Sequence, residues 1–370
     1  MKILEIIPQL GQGGAERFVV DLCNELSKDH KIVLVVLHSL DKTGFFCEEL
    51  CDRVELISMN KKRGMDLGLL FRLSRLIRRQ KPDIVHTHLR AISYSTVAFF
   101  LKGDIKFIHT IHSDAVKEAG NGISKWCRKF AFRTRRVHPV TISGESQRSF
   151  TDFYHLKSSL IYNGRPAYND AIDISRVSAE LAALKQNKDA RLIVNVARIQ
   201  QAKNQVELAK AVISLNKERG PIELAIIGNV DDLQIEKKIK RLDSPYVHLL
   251  GTRTNPRDYM RAADAFCLSS IYEGMPITLI ESFSVGTIPI CTSVGGIKNM
   301  IQDGFNGLLA CSPSQKGIEA VLKRFLDCSE SQINDMKIAS KRSFENYDMV
   351  TCCQKYVGLM TYLLNSKIKL

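Results

Sequence analysis

Several features are missing from this sequence, and each absence narrows what the chain can be. Nowhere in its 370 residues do about 18 consecutive apolar residues occur, the length a membrane-spanning helix needs, so no such helix is expected. The ten cysteines, at 23, 47, 51, 127, 267, 291, 311, 328, 352 and 353, form no Cys-x-x-Cys and follow no regular spacing. That pattern excludes a zinc ribbon or a disulfide framework and reads as reduced thiols of a cytoplasmic protein. The opening stretch MKILEIIPQLGQGG has one lysine and a short apolar run ended by Pro8, which fits a first strand better than a signal peptide. There is no repeat of solenoid length and no low-complexity tract, and no zinc-finger or RNA-recognition signature is present, so nucleic acid is not an expected partner.

What is present is an ordinary soluble composition, 45% apolar and 25% charged, with a formal net charge of +14. The excess sits in the first half, where residues 1–165 carry 27 Lys and Arg against 17 Asp and Glu; 166–370 carry 26 against 22. Two segments concentrate it further. FRLSRLIRRQK (71–81) reads as a helix bearing Arg72, Arg75, Arg78 and Arg79, with a solvated face and an apolar side in the core. KWCRKFAFRTRR (125–136) interleaves Trp126, Phe130 and Phe132 with six cations, a mixture suited to an anionic membrane surface.

Short β-rich runs alternate with longer helical patterns along the whole chain, the signature of parallel sheets with crossover helices. In the first half the strands are expected at 2–8, 31–37, 53–58, 83–88, 105–111, 138–143 and 158–163; in the second, at 191–197, 222–228, 246–251, 264–270 and 288–293. NGRPAYNDAIDISR (163–176) breaks the periodicity. The expected fold class is therefore α/β, with two Rossmann-like doubly wound domains at 1–165 and 166–346. A last amphipathic stretch, 347–366, is free by its pattern to pack on either one.

Ligands of open α/β sheets bind beyond the carboxyl ends of the strands, so the loops that follow strands carry the candidate residues. After the first strand, GQGGAE places Gly13 and Gly14 where backbone amides can approach an anion at a helix start. After the first strand of the second half, Arg198 and Lys203 stand five residues apart, a guanidinium fork and an ammonium able to face one diphosphate. In YEGMPITLIESFSVGTIPI (272–290), Pro276 and Gly286 bound a helix, with Glu273 and Gly274 in the turn before it and Glu281 inside it. Five residues at 1.5 Å each separate Pro276 from Glu281 by roughly 7 to 8 Å, about the length of a pyrophosphate and a sugar ring. Amides of Met275, Ile277 and Thr278 at the helix start suit phosphates. Glu273 and Glu281 then suit vicinal hydroxyls, of a sugar and of a ribose.

Further candidates are His112, with Asp114, as a hydrogen-bond donor to a sugar or a general acid or base, and Gly295 and Gly296, whose backbone can meet a ligand without side-chain obstruction. His86 and His88 alternate on one strand with no Cys or carboxylate cluster near them in sequence, so no metal site is expected there.

The segments GGAE (13–16), Arg-x4-Lys (198–203), Glu-x7-Glu (273–281) and the Gly-Gly turn at 295–296 resemble glycosyltransferase family 4, whose members have the GT-B fold. VTISGES (140–146), IYNGR (161–165), LAIIG (224–228), LLGTR (249–253) and DGFNGLL (303–309) are similar to its recurring segments, in the same order. The resemblance implies retaining, metal-independent transfer of a hexose from a nucleotide diphosphate sugar, such as a UDP- or GDP-hexose, bound by the second domain. The acceptor it implies is a glycan or a lipid-linked one, on the first domain across a cleft, and the setting is cytoplasmic, peripheral on the inner face of the cell membrane.

It assigns Arg198 and Lys203 to the diphosphate, Glu273 to sugar hydroxyls, Glu281 to the ribose and His112 to the sugar. It also puts base recognition near Thr252 and Arg253 and returns the terminal helix to the first domain. The absence of an Asp-x-Asp pair fits neutralisation of the leaving diphosphate by cations and a helix terminus. Ala197 stands where a glycine usually precedes the arginine, Gly228-Asn229-Val230 lacks a second glycine, and Asn299 replaces a frequent glutamate. The sequence also admits a nonhydrolysing nucleotide-sugar 2-epimerase of related fold, or a non-catalytic protein that binds anionic surfaces.

Overall fold

β-Branched runs too short for helices, each followed by a longer amphipathic segment, leave the chain few alternatives to parallel strands with helical crossovers. The computed structural model describes residues 1–40, 44–62, 64–100, 104–168, 173–218 and 220–366. It divides into two units: Met1–Pro166 with the segment from Asp348 onward, and Ala167–Tyr347. Part of the break expected at 163–176 lies outside the described residues.

The first unit holds β1 (Lys2–Ile7), β2 (Lys31–Val36), β3 (Val54–Ser58), β4 (Ile84–His88), β5 (Lys106–Ile111), β6 (Val137–Thr141) and β7 (Ser159–Leu160). They form one parallel sheet in the order β3-β2-β1-β4-β5-β6-β7. β7 is two residues long rather than the six expected, because after Ile161 pairs with Thr141 the chain turns away through Asn163 and Gly164.

One face of this sheet packs an apolar cluster with Leu69, Leu73 and Ile77 of the helix Leu67–Gln80 and with Ala131 and Phe132 of the helix Ile123–Arg133. The helix Gly14–Leu26 packs against the helix Met349–Asn365, which returns to this unit. Arg165 pins that return: its carbonyl accepts from the Met349 amide at 2.9 Å, and its buried guanidinium pairs with Asp21. At Gly164 a Cβ would come within 2.8 Å of Cys352, so the crossing is built for a residue with no side chain.

The second unit holds β8 (Arg191–Val196), β9 (Ile222–Ile227), β10 (Val247–Gly251), β11 (Ala265–Leu268), β12 (Ile288–Thr292) and β13 (Leu308–Ala310). These are again all parallel, in the order β10-β9-β8-β11-β12-β13. β13 starts at the end of DGFNGLL and is too short for a periodicity to reveal. Its helices Gln205–Glu218 and Gln315–Leu326 close one apolar core through Leu208, Val212, Ile318 and Leu322. In each sheet the strand order reverses once, between β1 and β4 and between β8 and β11, and these switch points are where such folds hold ligands. All ten cysteines are free thiols. Among the described residues no helix is long and apolar enough to cross a membrane.

Candidate functional site

In the second unit the switch point is flanked by the loops after β8 and β11, and a chain of hydrogen bonds locks one to the other. Gln201–Lys203 form a single 3-10 turn ended by Asn204 in the left-handed region, at φ 60°. The Asn204 side-chain amide donates to the carbonyls of Ser269 and Pro313 at 3.2 and 2.6 Å, and Ser269 Oγ donates back to the Lys203 carbonyl at 2.9 Å. This clasp brings Lys203 Nζ to 2.5 Å from Glu273 Oε1, which also accepts from Ser270 Oγ at 2.6 Å. Both contacts fall on Oε1, and among the described residues Oε2 is left without a partner. Glu273 is buried.

Immediately beyond lies the helix Ile277–Val285, entered by Pro276 in extended conformation and closed by Gly286 at φ 74°, as the sequence predicts. Among the described residues no side-chain hydrogen bond caps its first turn, so the amides of Ile277 and Thr278 and the positive end of the helix dipole lack a capping side chain. Met275 and Glu281 are both buried, Glu281 about one turn further along the helix.

Arg198 follows β8 and is half exposed, paired with Asp231 at 2.8 Å. Asp231 is a partner that sequence reading missed, because it follows β9 and meets Arg198 only through the pairing of those strands. Gly228, at φ +154°, would carry a Cβ 2.0 Å from the Ala197 carbonyl oxygen, so the β9 turn seats directly on the residue before Arg198.

The Gly295-Gly296 turn has a structural role that its composition does not reveal. At φ +51°, a Cβ on Gly295 would stand 1.7 Å from the carbonyl oxygen of Glu273, and the Gly296 amide donates to the Gly274 carbonyl at 3.1 Å. The pair packs directly against the backbone of the Glu273 segment. Arg253 is also occupied: its guanidinium donates to Tyr259 Oη and Glu180 at 2.8 Å each and to the Thr252 carbonyl at 3.3 Å.

In the first unit, Gly13 caps the helix Gly14–Leu26, yet a Cβ there would lie 2.1 Å from Glu16 Oε2. An acid of the chain itself therefore sits at that helix start, where an external anion was expected. At the next strands a carboxylate that sequence spacing could not reveal comes into play. Glu5 of β1 pairs in register with His86 of β4 and contacts both histidines, at 3.1 Å from His86 Nδ1 and 2.8 Å from His88 Nε2. His86 Nε2 meets Thr110 Oγ1 at 2.8 Å, Thr110 meets Tyr356 Oη at 2.9 Å, and His88 Nδ1 meets His112 Nε2 at 3.0 Å. Glu5, His86 and His88 could present metal-ligand atoms within 4.8 Å of one another. Every ring nitrogen of the two histidines already has a hydrogen-bond partner.

Burial pushes the His88 and His109 imidazoles down to about 4 and His112 well below its ordinary value. Glu5 goes down to about 2: burial opposes ionisation, but the charges and hydrogen bonds of His86 and His88 outweigh it. Glu118, on the opposite face of the sheet, goes to about 2 as well, where the hydrogen bond to His109 and the charge of Arg128 overcome burial.

These shifts share one sign. An unfolded histidine takes up a proton near pH 6.5 and an unfolded glutamate near 4.5, while the native groups resist both, so stability is present at neutral pH and lost on acidification. Each unit of difference is worth about 1.4 kcal/mol. The expected result is a melting temperature, followed by circular dichroism, that falls steadily from pH 6.5 to 4. A flat profile over that range would contradict the buried cluster.

Of the six cations at 125–136, the structure turns Arg128 inward, buried against Glu118 and His109, and ties Arg136 to the Phe99 carbonyl. Lys125, Lys129, Arg133 and Arg135 remain at the surface, beside Trp126 at 66% exposure, Phe100 at 68% and Ile123 at 63%. Phe130 stacks on Trp126 at 5.5 Å and lies 5.8 Å from Phe100, so the apolar groups form one patch.

Comparison with known proteins bears on both units. Residues 12–166 match the family model Glycosyltransferase Family 4, and residues 178–342 match Glycosyl transferases group 1. The chain is 26% identical over 72% of its length to 70% of UDP-Gal:alpha-D-GlcNAc-diphosphoundecaprenol alpha-1,3-galactosyltransferase of Escherichia coli. It is 24% identical, over 99% of its length and 100% of the relative's, to GalNAc-alpha-(1->4)-GalNAc-alpha-(1->3)-diNAcBac-PP-undecaprenol alpha-1,4-N-acetyl-D-galactosaminyltransferase of Campylobacter jejuni. Among solved structures, HepE of Anabaena in complex with UDP-glucose superposes with a TM-score of 0.81 at 18% identity, covering 98% of this chain and 100% of that one.

Proposed function

This chain belongs to glycosyltransferase family 4 and has the GT-B fold, and from that premise we propose that it moves a hexose from a UDP-sugar to a lipid-linked glycan during assembly of a surface polysaccharide. The observation that carries this reading is the Lys203–Glu273 pair at the switch point of the second sheet, beside an uncapped helix end. A donor diphosphate takes the place prepared by the Lys203 ammonium, the Arg198 guanidinium and the Ile277 and Thr278 amides. These groups neutralise it as it leaves, without an obligatory metal.

Glu273, fixed through Oε1, offers Oε2 to sugar hydroxyls, and Glu281 serves the ribose. The backbone at Thr252 and Arg253 serves the base. His112 of the first unit binds a sugar hydroxyl. Support for UDP comes from the galactosyltransferase named for UDP-Gal and from the UDP-glucose complex of HepE; GDP-sugars are the competing donors.

Retention of configuration follows a front-face route in this reading. A carboxylate nucleophile would have to stand at the anomeric carbon, whereas Glu273 is committed to ring hydroxyls, so the departing diphosphate helps deprotonate the acceptor. Trapping a glycosyl adduct on Glu273 would refute the route. The wider assignment is tested by incubating the protein with UDP- and GDP-hexoses, with and without a lipid-diphosphate-linked glycan. Glycan extension that requires both substrates is expected. A sugar epimerised with donor alone would point to the 2-epimerase instead.

The first unit meets the cytoplasmic face of the membrane through the Ile123, Trp126, Phe130 and Phe100 patch, framed by Lys125, Lys129, Arg133 and Arg135. Co-sedimentation with phosphatidylglycerol vesicles is expected, and phosphatidylcholine vesicles should not bind. Trp126→Ala combined with Phe130→Ala should abolish it with the fold intact; undiminished binding by that variant would remove the patch from the account.

A further inference from the structure

The buried groups around β1, β4 and β5 do more than fill space, because their hydrogen bonds have a direction. Glu5 is fully buried and accepts from both histidines. An ionised carboxylate only accepts, so the proton of His88 must be on Nε2, the atom 2.8 Å from Glu5 Oε2. A neutral imidazole with its proton on Nε2 has a lone pair on Nδ1. At 3.0 Å from that lone pair lies His112 Nε2, which can complete the bond only as a donor. His112 in turn is left with its lone pair on Nδ1, a buried atom with no hydrogen-bond partner among the described residues. Such an orphan costs on the order of 1–3 kcal/mol. The residue itself is only partly buried, at the carboxyl end of β5. Its backbone amide is held by Glu118 Oε2 at 2.7 Å, and the ring lies edge-on to Phe18 at 5.8 Å, so its orientation is fixed from both sides.

We propose that Glu5 and His88 are positioning residues that set the tautomer of His112, so that His112 meets its ligand through Nδ1 as a hydrogen-bond acceptor for a hydroxyl and not as a donor. This reverses the donor role expected from sequence for this histidine. It rests on the transferase reading only for the identity of the hydroxyl, which is that of a sugar. A carboxylate behind a histidine fixing which nitrogen carries the proton is a known device of acid–base sites; here the device acts through a second imidazole. The depressed basicity of Glu5 and His88 agrees with the assigned ionisation states at neutral pH.

The test reads the ring nitrogens directly. The full-length protein labelled with nitrogen-15 in histidine is examined by long-range proton–nitrogen correlation at neutral pH, with the His112 signals assigned by their loss in His112→Phe. A pyridine-like Nδ1 and a protonated Nε2 are expected in the wild type and in Glu5→Asp, which keeps the carboxylate. Glu5→Gln can donate its amide to His88 Nε2 and reverse the chain, so His112 should move to a protonated Nδ1, and kcat should fall more than KM rises.

A protonated Nδ1 in the wild type overturns the proposal, as does a His112 tautomer unmoved by Glu5→Gln. Because the tautomer is read without any substrate, a protein that binds no nucleotide sugar would sink the transferase reading and leave this result standing.

Discussion

Lys203→Ala should lower kcat/KM for glycosyl transfer by about 100- to 1000-fold, the range seen when one preorganised electrostatic contact to a developing charge is removed. Two consequences of the substitution combine. On the proposed assignment the leaving diphosphate loses its ammonium, and Glu273 loses the partner that, with Ser270, holds Oε1 in place. Because Glu273 is buried, losing its cation should also lower the melting temperature, so turnover is compared at a temperature where the variant remains folded; transition-state contacts act mainly on rate. Glu273→Gln keeps the Ser270 contact and should likewise lose turnover by orders of magnitude. Steady-state kinetics on a folded variant decides the matter, and wild-type turnover in either would reject the assigned roles.

Gly295→Ala is the second large effect, and its origin is steric. A methyl group there would stand 1.7 Å from the Glu273 carbonyl oxygen, which is backbone and cannot rotate aside, in a φ of +51° that an L side chain rarely adopts. Strain of that conformation alone costs roughly 1–3 kcal/mol. To relieve the clash the Glu273 segment must shift, which disturbs the contact between Glu273 and Lys203. We expect a clear fall in melting temperature together with near-complete loss of transfer, even when activity is measured at a low temperature where the variant remains folded. Gly304→Ala is the control, since nothing lies within 4 Å of a Cβ there although its φ is +77°. Normal transfer by folded Gly295→Ala would show that the Gly-Gly turn does not brace the site.

How much of this was legible in the sequence depended on whether the partners were local. The helix Ile277–Val285 could be read from Pro276 and Gly286, since both boundaries are set by backbone preferences of single residues. Arg198, Lys203 and Glu273 could be placed in loops after strands by alternation alone. What could not be read was which strand lies beside which. Glu5 and His86 are 81 residues apart and meet because β4 joins β1 at the point where the strand order reverses, so the histidines looked isolated from any carboxylate. Asp231 was hidden behind Arg198 for the same reason.

Glycines showed only part of their surroundings. Gly13 and Gly295 read as open backbone for a ligand, whereas the space beside each is filled by the chain's own Glu16 carboxylate and Glu273 carbonyl. A missing side chain shows only that something approaches closely. Likewise the run of cations at 125–136 could not reveal that Arg128 faces the core, because its partners Glu118 and His109 come from other elements.

A crystal of the protein soaked with a UDP-hexose tests the central claim most directly. The diphosphate should lie against the Lys203 ammonium and the Ile277 and Thr278 amides, with Glu273 Oε2 on sugar hydroxyls and Glu281 on the ribose. Density for the nucleotide elsewhere, with Lys203 and Glu273 still paired only to each other, would contradict it.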